Sequence, residues 1–241
     1  MRSTQQIQAE LRALGRPGMP IPPIGAALAA WRVSVDEWAA SHPGGPQRYL
    51  ELLEEFEVAE RLEVAARAER DRVAAWGRNV QVPERTLRAS VDPKPTQALE
   101  CAREWLAGEK LWLVLLGSTG LGKSVAAAWA LRQCANAGVG VAWVQAAGLA
   151  SMVGGFDNVA RFERLQHVAV LCLDDLGLEH DSGFGRSLLG ELLQARHENQ
   201  LRTILTTNLS GADFRARVGE RVADRIRADC IAKELRGESM R

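Results

Sequence analysis

The chain has 241 residues, of which 46% are hydrophobic and 25% are charged, a composition typical of a folded globular protein. Basic and acidic residues number 30 each, so no global charge excess indicates a nucleic-acid binder. The sequence has no signal peptide and no apolar run long enough to cross a membrane, so we expect a cytoplasmic protein. Widely spaced cysteines predict free thiols rather than a zinc site. They are Cys101, Cys134, Cys172 and Cys230.

Residues 1–80 are predicted to form a helical N-terminal domain. The stretch STQQIQAELRAL has Ser3 or Thr4 as a candidate N-cap, and AALAAWRVSVDEWAA is a second candidate helix. A long, charged amphipathic helix is predicted from QRYLELLEEFEVAERLEVAARAERDRVAAW. Two interpretations of this helix stay open: it lies on its own domain with a solvated face, or it is a partner-docking helix or coiled-coil arm. Its apolar residues at helical spacing are Leu52, Leu53, Phe56, Ala59, Leu62, Ala66 and Val73.

Residues 81–97 are predicted to be a linker, because VPERTLRASVDPKPTQ holds three prolines. Beyond it, residues 98–241 alternate between helical and strand patterns. Strands are predicted at LWLVLL, GVGVAWVQ, HVAVLCLDD, LRTILTTN and RADCIAKEL. The third of these has no polar alternation, as a strand covered on both faces requires. The pattern predicts an α/β fold with a five-stranded parallel sheet flanked by helices.

A glycine-rich turn after the first strand, GSTGLGKS, has the P-loop spacing Gly-x-x-x-x-Gly-Lys-Ser. Its glycines accept unusual backbone angles, so successive N–H groups turn toward an anion at the positive end of the following helix. We expect Lys123 to reach the β- and γ-phosphates of a nucleoside triphosphate and the Ser124 hydroxyl to bind Mg²⁺. The alternative is a structural turn with a surface lysine. The predicted nucleotide-binding residues are Gly117, Ser118, Thr119, Gly120, Leu121, Gly122, Lys123, Ser124 and Val125.

Polar residues also end the third and fourth predicted strands. Asp174 and Asp175 follow the buried run VLCL, where two adjacent acids are costly to bury without partners. This edge of an open parallel sheet faces the ligand crevice. Asp174 therefore suits the acid that organises Mg²⁺, and Asp175 suits the acid that polarises the attacking water. Asn208 ends TILTTN, where an amide can orient that water or contact the γ-phosphate. An acidic turn cap and a loop-starting asparagine are the structural alternatives.

The order GSTGLGKS, VLCLDDLG, TILTTN and GERVADRI resembles the AAA+ ATPases of the DnaC-type helicase-loader group, which includes the related IstB-type transposition ATPases. The resemblance covers about residues 82–241. It implies ATP and Mg²⁺ as ligands, and slow ATP hydrolysis that DNA or self-assembly stimulates. Two residues depart from the family pattern: Ser118 stands where many relatives have proline, and Asp175 stands where the wider AAA+ class has glutamate.

The resemblance also implies roles for three arginines near the end of the chain. Arg225 matches an arginine finger that stabilises charge on the γ-phosphate held by a neighbouring subunit, and Arg221 lies one helical turn earlier. Arg241, in LRGESMR, matches the sensor-II arginine of the family. The alternative for all three is a solvated basic helix face.

A candidate DNA contact lies between the second strand and the paired aspartates. In the loader and initiator group this region contacts single-stranded DNA, and here it contains Phe156, Arg161, Phe162 and Arg164. Aromatic rings with arginines suit stacking on bases and pairing with phosphates. Phe162 and Leu165 also share helical spacing, which favours a core role for both.

The resemblance thus implies a replication accessory ATPase that delivers a replicative helicase. Its N-terminal helices would bind the helicase, its ATPase domain would bind ATP and single-stranded DNA, and it would form a homo-oligomer. An IstB-type transposition helper that assembles on duplex DNA is the second interpretation. A small-molecule phosphotransferase and a nucleotide switch without turnover are further alternatives. The roles expected for Asn208 and Arg225 argue against the phosphotransferase.

Overall fold

The computed structural model describes residues 2–13, 47–152, 156–177, 183–237 and 239. The chain divides into two compact units, Met1–Arg72 and Val73–Arg241. The helix expected at AALAAWRVSVDEWAA lies outside the described residues, as does Arg241. No helix within the described residues is both long and apolar enough to span a bilayer.

The first unit contains helix α1 (Thr4–Ala13) and most of the long helix α2 (Gln47–Val80). Ser3 caps α1 through a reciprocal pair of bonds, in which Gln6 N donates to Ser3 Oγ and Ser3 N donates to Gln6 Oε1. Glu63 of α2 also accepts hydrogen bonds from the backbone N–H and the hydroxyl of Thr4. Polar bonds therefore tie the start of α1 to α2.

The apolar residues of α2 do not form one continuous buried stripe. Leu52, Leu53, Phe56, Ala59 and Val73 are buried. Leu62, with 49% of its surface exposed, and Ala66 are not buried, although their spacing is helical. Helical periodicity identifies the face that a helix can bury, but it does not reveal where along the helix another element covers that face.

The second unit contains a five-stranded sheet and the helices around it. In chain order its elements are α3 (Glu84–Ala89), α4 (Gln97–Ala107), β1 (Trp112–Leu116), α5 (Lys123–Asn136), β2 (Val141–Gln145), a 3₁₀-helix (Ala146–Met152), α6 (Phe156–His167), β3 (Val170–Leu176), α7 (Gly183–Glu198), β4 (Arg202–Thr207), α8 (Gly211–Val218), α9 (Glu220–Ala228) and β5 (Cys230–Glu234).

All neighbouring strands are parallel, and their order is β2-β3-β4-β1-β5. The predicted α/β fold with a five-stranded parallel sheet is therefore confirmed. The strand order was not predicted. Because β4 lies between β1 and β3, the residue that follows β4 is placed between those that follow the other two strands.

Helices cover both faces of the sheet, as the apolar strand sequences predicted. In β1, Leu113 and Leu115 belong to one hydrophobic cluster, whereas Trp112, Val114 and Leu116 belong to the other. This alternation follows from the two-residue period of a strand. All four cysteines are free, and burial raises the pKa of Cys230 to about 12.

The segment predicted to be a linker contains helix α3 and packs on the domain. Val82 and Leu87 are buried in the same cluster as α5, and Ser90 is fully buried. Pro83 directly precedes α3, where a proline suits the start of a helix. Proline content therefore marked the ends of this short helix, but it did not reveal that the segment between them is packed.

Candidate nucleotide-binding site

The P-loop lies between the end of β1 and the start of α5. Gly117, Gly120 and Gly122 have φ of 130°, 87° and 81°, a region that favours glycine. Gly117 has a second constraint, because a Cβ there would lie 2.6 Å from the carbonyl oxygen of Leu235. The N–H of Leu235 donates to the carbonyl of Leu116 at 2.9 Å. The backbone after β5 therefore supports this loop closely.

Lys123 is the first residue of α5, and only 5% of its surface is exposed. Its ammonium group donates to the carbonyl oxygens of Gly117 and Ser118 at 2.7 Å and to Asn208 Oδ1 at 2.9 Å. The sequence placed Lys123 and Asn208 at the same edge of the sheet, and the structure brings them into contact. An incoming phosphate would compete with these oxygens for the ammonium group.

Asp174 is a buried residue near the end of β3, and 2% of its surface is exposed. Its Oδ1 accepts a hydrogen bond from Thr206 Oγ1 at 2.6 Å. Burial raises the pKa of Asp174, while hydrogen bonds from Thr206 and Ser124 oppose the rise by stabilising the charged form. The contact with Ser124 joins the two residues that we expected to bind Mg²⁺.

Asp175 has φ of 55°, in the left-handed region that few residues other than glycine adopt. At this point the pairing between β3 and β4 becomes irregular, between Leu173 and Leu176. Thr206 compensates for the irregular strand pairing, because its Oγ1 accepts a hydrogen bond from the N–H of Asp175 at 3.0 Å. One buried hydroxyl therefore bonds to both paired aspartates.

The next residue on β4 stabilises the same irregularity. Thr207 Oγ1 donates to the carbonyl of Leu176 at 2.6 Å and accepts from the N–H of Leu209 at 3.1 Å. It therefore ties the end of β3 to the loop that carries Asn208. Thr206 and Thr207 were not predicted as site residues from the sequence. Their position before Asn208 in TILTTN was visible, but which residues lie opposite them depends on the strand order.

A cleft of about 640 Å³ extends from the P-loop, within the size range of ligand pockets. One end is lined by Lys123, Ser124, Asp175 and Asn208. The other end, which we call the base wall, consists of α3 and the following turn. The residues of the base wall that line the cleft are Arg85, Thr86, Ala89, Asp92, Pro93 and Lys94. In the sequence these residues lie in the predicted linker, and no local pattern distinguishes them.

The structure does not bring the predicted arginine finger into this cleft. Arg225 lies on α9 and does not line the cleft, and its Nη1 is buried without a hydrogen-bond partner among the described residues. Arg221 is exposed on the same helix. Arg215 of α8, in contrast, pairs with Glu220 and Asp224. The position of Arg225 outside its own cleft is compatible with a finger that reaches another subunit.

The candidate DNA contacts lie on α6. Arg161 and Arg164 are exposed, and Arg161 donates to Gln81 Oε1 at 2.7 Å. Phe162 packs against the hydrophobic cluster that contains the buried Leu165, as their helical spacing predicted. The side chain of Phe156 lies outside the described part of the structure.

A buried arginine lies between α6 and β4. Arg196 is fully buried and donates to the carbonyl oxygens of Leu165, Val168 and Arg202 and to the hydroxyl of Thr203. Burial lowers the pKa of Arg196 to about 9, so its guanidinium remains charged at neutral pH. Its acceptors offset the cost of burying that charge.

The residues of the site are suited to Mg²⁺ together with a nucleotide. Ser124 and Asp174 provide a hydroxyl and a carboxylate that are bonded to each other. Magnesium prefers oxygen ligands, and in phosphate-binding sites one or two protein ligands are completed by water and phosphate oxygens. This small oxygen donor set therefore fits Mg²⁺.

The parallel sheet with β4 inserted between β1 and β3, together with the P-loop, defines a P-loop NTPase of the AAA+ class. The family model of IstB-like ATP-binding proteins matches residues 28–241, and the chain belongs to that family. A search of curated proteins returned no match.

Three solved structures share the fold. The crystal structure of the DnaC helicase loader is 24% identical, with a TM-score of 0.55, over 64% of this chain and 100% of that chain. The crystal structure of DnaI is 25% identical, with a TM-score of 0.56, over 66% of this chain and 94% of that chain. The replication initiator DnaA bound to AMPPCP and single-stranded DNA is 18% identical, with a TM-score of 0.50, over 58% of this chain and 45% of that chain.

Proposed function

We propose that the protein binds and hydrolyses ATP in the cleft beside the P-loop and uses this activity in DNA replication. The observation that carries the proposal is the convergence of three strand ends on one site. Lys123 after β1 bonds to Asn208 after β4, and Thr206 of β4 bonds to both Asp174 and Asp175 of β3. A structural glycine-rich turn would not require these polar residues at the same place.

Binding of the triphosphate depends on the P-loop and Lys123. The N–H groups of residues 117–125 would surround the phosphates at the positive end of α5. Lys123 would exchange the carbonyl oxygens of Gly117 and Ser118 for phosphate oxygens. Because Lys123 Nζ lies 2.9 Å from Asn208 Oδ1, the amide of Asn208 would then lie near the γ-phosphate.

The remaining length of the cleft would hold the nucleoside. Ala89 and Pro93 of the base wall, with Leu99 of α4, supply apolar surface for a base. Thr86 and Asp92 supply polar groups in the same part of the cleft. The nucleotide would therefore lie with its phosphates at the sheet edge and its base against α3.

Hydrolysis would use Asp175 to polarise the attacking water and Asn208 to orient it. Asp175 is only partly buried, and both it and Asn208 line the cleft. Bound Mg²⁺ would neutralise phosphate charge, held by Ser124 and Asp174. Arg225 would act on the γ-phosphate of a neighbouring copy, so full activity would require a homo-oligomer. Arg241 remains a proposed sensor-II residue.

The biological role that we propose is the delivery of a replicative helicase to single-stranded DNA. The N-terminal helices would bind the helicase, and α6 would contribute the DNA contacts. Arg164 is exposed there and suited to a phosphate. The fold shared with DnaI and with the DnaC helicase loader supports this role. The match to the IstB-like family model supports a second candidate, an ATPase that assists a transposase on duplex DNA.

The test is ATP hydrolysis by the full chain with no DNA, with single-stranded DNA and with duplex DNA of equal length. A helicase loader is expected to respond to single strands and to increase the amount of a purified replicative helicase on single-stranded circles. A transposition helper is expected to respond to duplex DNA and to stimulate strand transfer by a purified transposase. An Arg164→Ala variant should lose the DNA response but retain basal hydrolysis. Absence of hydrolysis under all three conditions would contradict the ATPase proposal.

A further inference from the structure

A buried arginine connects the phosphate-binding helix to the base wall. Arg132 lies on α5, seven residues after Val125, and therefore two turns further along the same helix face. Only 8% of Arg132 is exposed. Its Nη2 donates to the carbonyl oxygens of Ser90 and Val91, each at 3.2 Å. Arg132 itself does not line the cleft.

The two carbonyl groups follow the last residue of α3, Ala89, where a helix leaves carbonyls unpaired and carries partial negative charge. Ser90 is fully buried, and its hydroxyl donates to the carbonyl of Leu87 at 2.7 Å. A guanidinium at this point satisfies buried acceptors and complements the helix end. It also holds the backbone immediately before Asp92 and Pro93 of the base wall.

Helix α3 has six residues, too few for stability without tertiary support. Two contacts provide that support: the burial of Leu87 and the bonds from Arg132 to the backbone after the helix. The base wall therefore depends on a side chain of the helix that also carries Lys123 and Ser124. A shift of this anchor would move the base wall relative to the P-loop.

We infer that Arg132 is a positioning residue that sets the affinity of the cleft for the nucleoside part of its ligand. The inference rests on the proposed function, in which the cleft binds ATP with its base against α3. Arg132 acts through the backbone of Ser90 and Val91 and not by direct contact with the ligand. A purely structural role would weaken the binding of every ligand equally or would change only stability.

The test compares ATP with inorganic tripolyphosphate, which has the phosphates but no base. Both are titrated against the full chain by calorimetry. In Arg132→Met, ATP is expected to bind about tenfold more weakly, the equivalent of about 1.4 kcal/mol, because the base wall loses its anchor. Tripolyphosphate should bind as tightly as it does to the wild type. Arg132→Lys keeps the charge but not the planar guanidinium. It should lose less ATP affinity than Arg132→Met and should bind tripolyphosphate as the wild type does.

The matched control is Arg103→Met. Arg103 is an exposed arginine of α4 that lies over the ring of Trp129 of α5, 5.7 Å from its centroid, and it should change neither affinity. Equal losses for ATP and tripolyphosphate in Arg132→Met, or no loss for either, would overturn the inference. If Arg132→Met does not fold, Arg132→Lys decides by the same comparison. Failure of the wild type to bind either ligand would instead refute the proposed function.

Discussion

The two ends of the cleft are built in different ways. At the phosphate end, the residues come from short motifs at the ends of β1, β3 and β4, and side chains such as Lys123 and Asn208 bond directly to one another. At the base end, the lining comes from a short helix and turn whose backbone is held by Arg132. The phosphate end is therefore determined by residue identity, whereas the base end is determined by packing.

This difference has a consequence for the effects of mutations. A change at the phosphate end would remove a group that we propose to contact phosphate, metal or water, so it should affect every ligand or abolish turnover. A change at the base end moves a surface, so it should affect only ligands that carry a base. Two variants at the phosphate end, and one of the proposed arginine finger, test this contrast with the base-selective effect expected for Arg132.

The largest expected effect is on turnover in Arg225→Ala. Because an arginine finger stabilises charge only in the transition state, loss of the proposed finger should lower ATP hydrolysis by about a thousandfold while ATP affinity stays unchanged. Steady-state hydrolysis and nucleotide titration measure the two quantities. Arg227→Ala, an exposed arginine on the same helix, is the matched control and should behave as the wild type.

A mixture of two variants tests whether the proposed finger acts between subunits. Arg225→Ala and Asp175→Asn subunits together should recover some hydrolysis, because an oligomer can pair an intact finger with an intact site. Absence of recovery in a mixture that demonstrably assembles would contradict a finger that acts between subunits.

The second expected effect is on binding in Lys123→Ala. Loss of the ammonium group should weaken ATP and tripolyphosphate alike, by about a hundredfold, because a charge-assisted bond to phosphate is lost for both ligands. Lys110→Ala is the control, since Lys110 is an exposed lysine that pairs with Asp229. A loss of affinity for ATP but not for tripolyphosphate would contradict the assignment of Lys123 to the phosphate end of the cleft.

The smallest expected effect is on the magnesium dependence of binding in Thr206→Val. Valine removes the hydroxyl that orients Asp174 and Asp175 but keeps the side-chain shape. Loss of such a bond behind a proposed metal ligand should weaken binding of ATP with Mg²⁺ by about tenfold. Binding in the presence of EDTA should not change.

Two further variants complete that test. Thr206→Ser retains the hydroxyl and should bind ATP with Mg²⁺ about as tightly as the wild type. Thr207→Val alters a neighbouring buried threonine that bonds to Leu176 and Leu209 but, among the described residues, to no carboxylate, so it should bind ATP with Mg²⁺ as the wild type does. Equal behaviour of Thr206→Val and Thr207→Val would show that the effect reflects stability of the strand.

Sequence patterns predicted the elements of the second unit well because they depend on local residue order. The uninterrupted apolar strands predicted a sheet covered on both faces, and β1 indeed contributes to a cluster on each face. Local patterns were less informative where long-range packing decides which residues are buried. Leu62 has helical spacing but is exposed, and Leu87 lies between proline-rich breaks but is buried.

The sequence by itself determined the P-loop turn and the paired acids, because each needs particular residue types at a spacing that neighbouring residues alone set. Only the tertiary structure decided that β4 lies between β1 and β3, and hence that Asn208 reaches Lys123 and that Thr206 reaches both aspartates. The same holds for the base wall, where Arg132 meets carbonyl groups 41 and 42 residues away in the chain. Such contacts depend on how buried surfaces of distant segments fit together, and no local pattern encodes that fit.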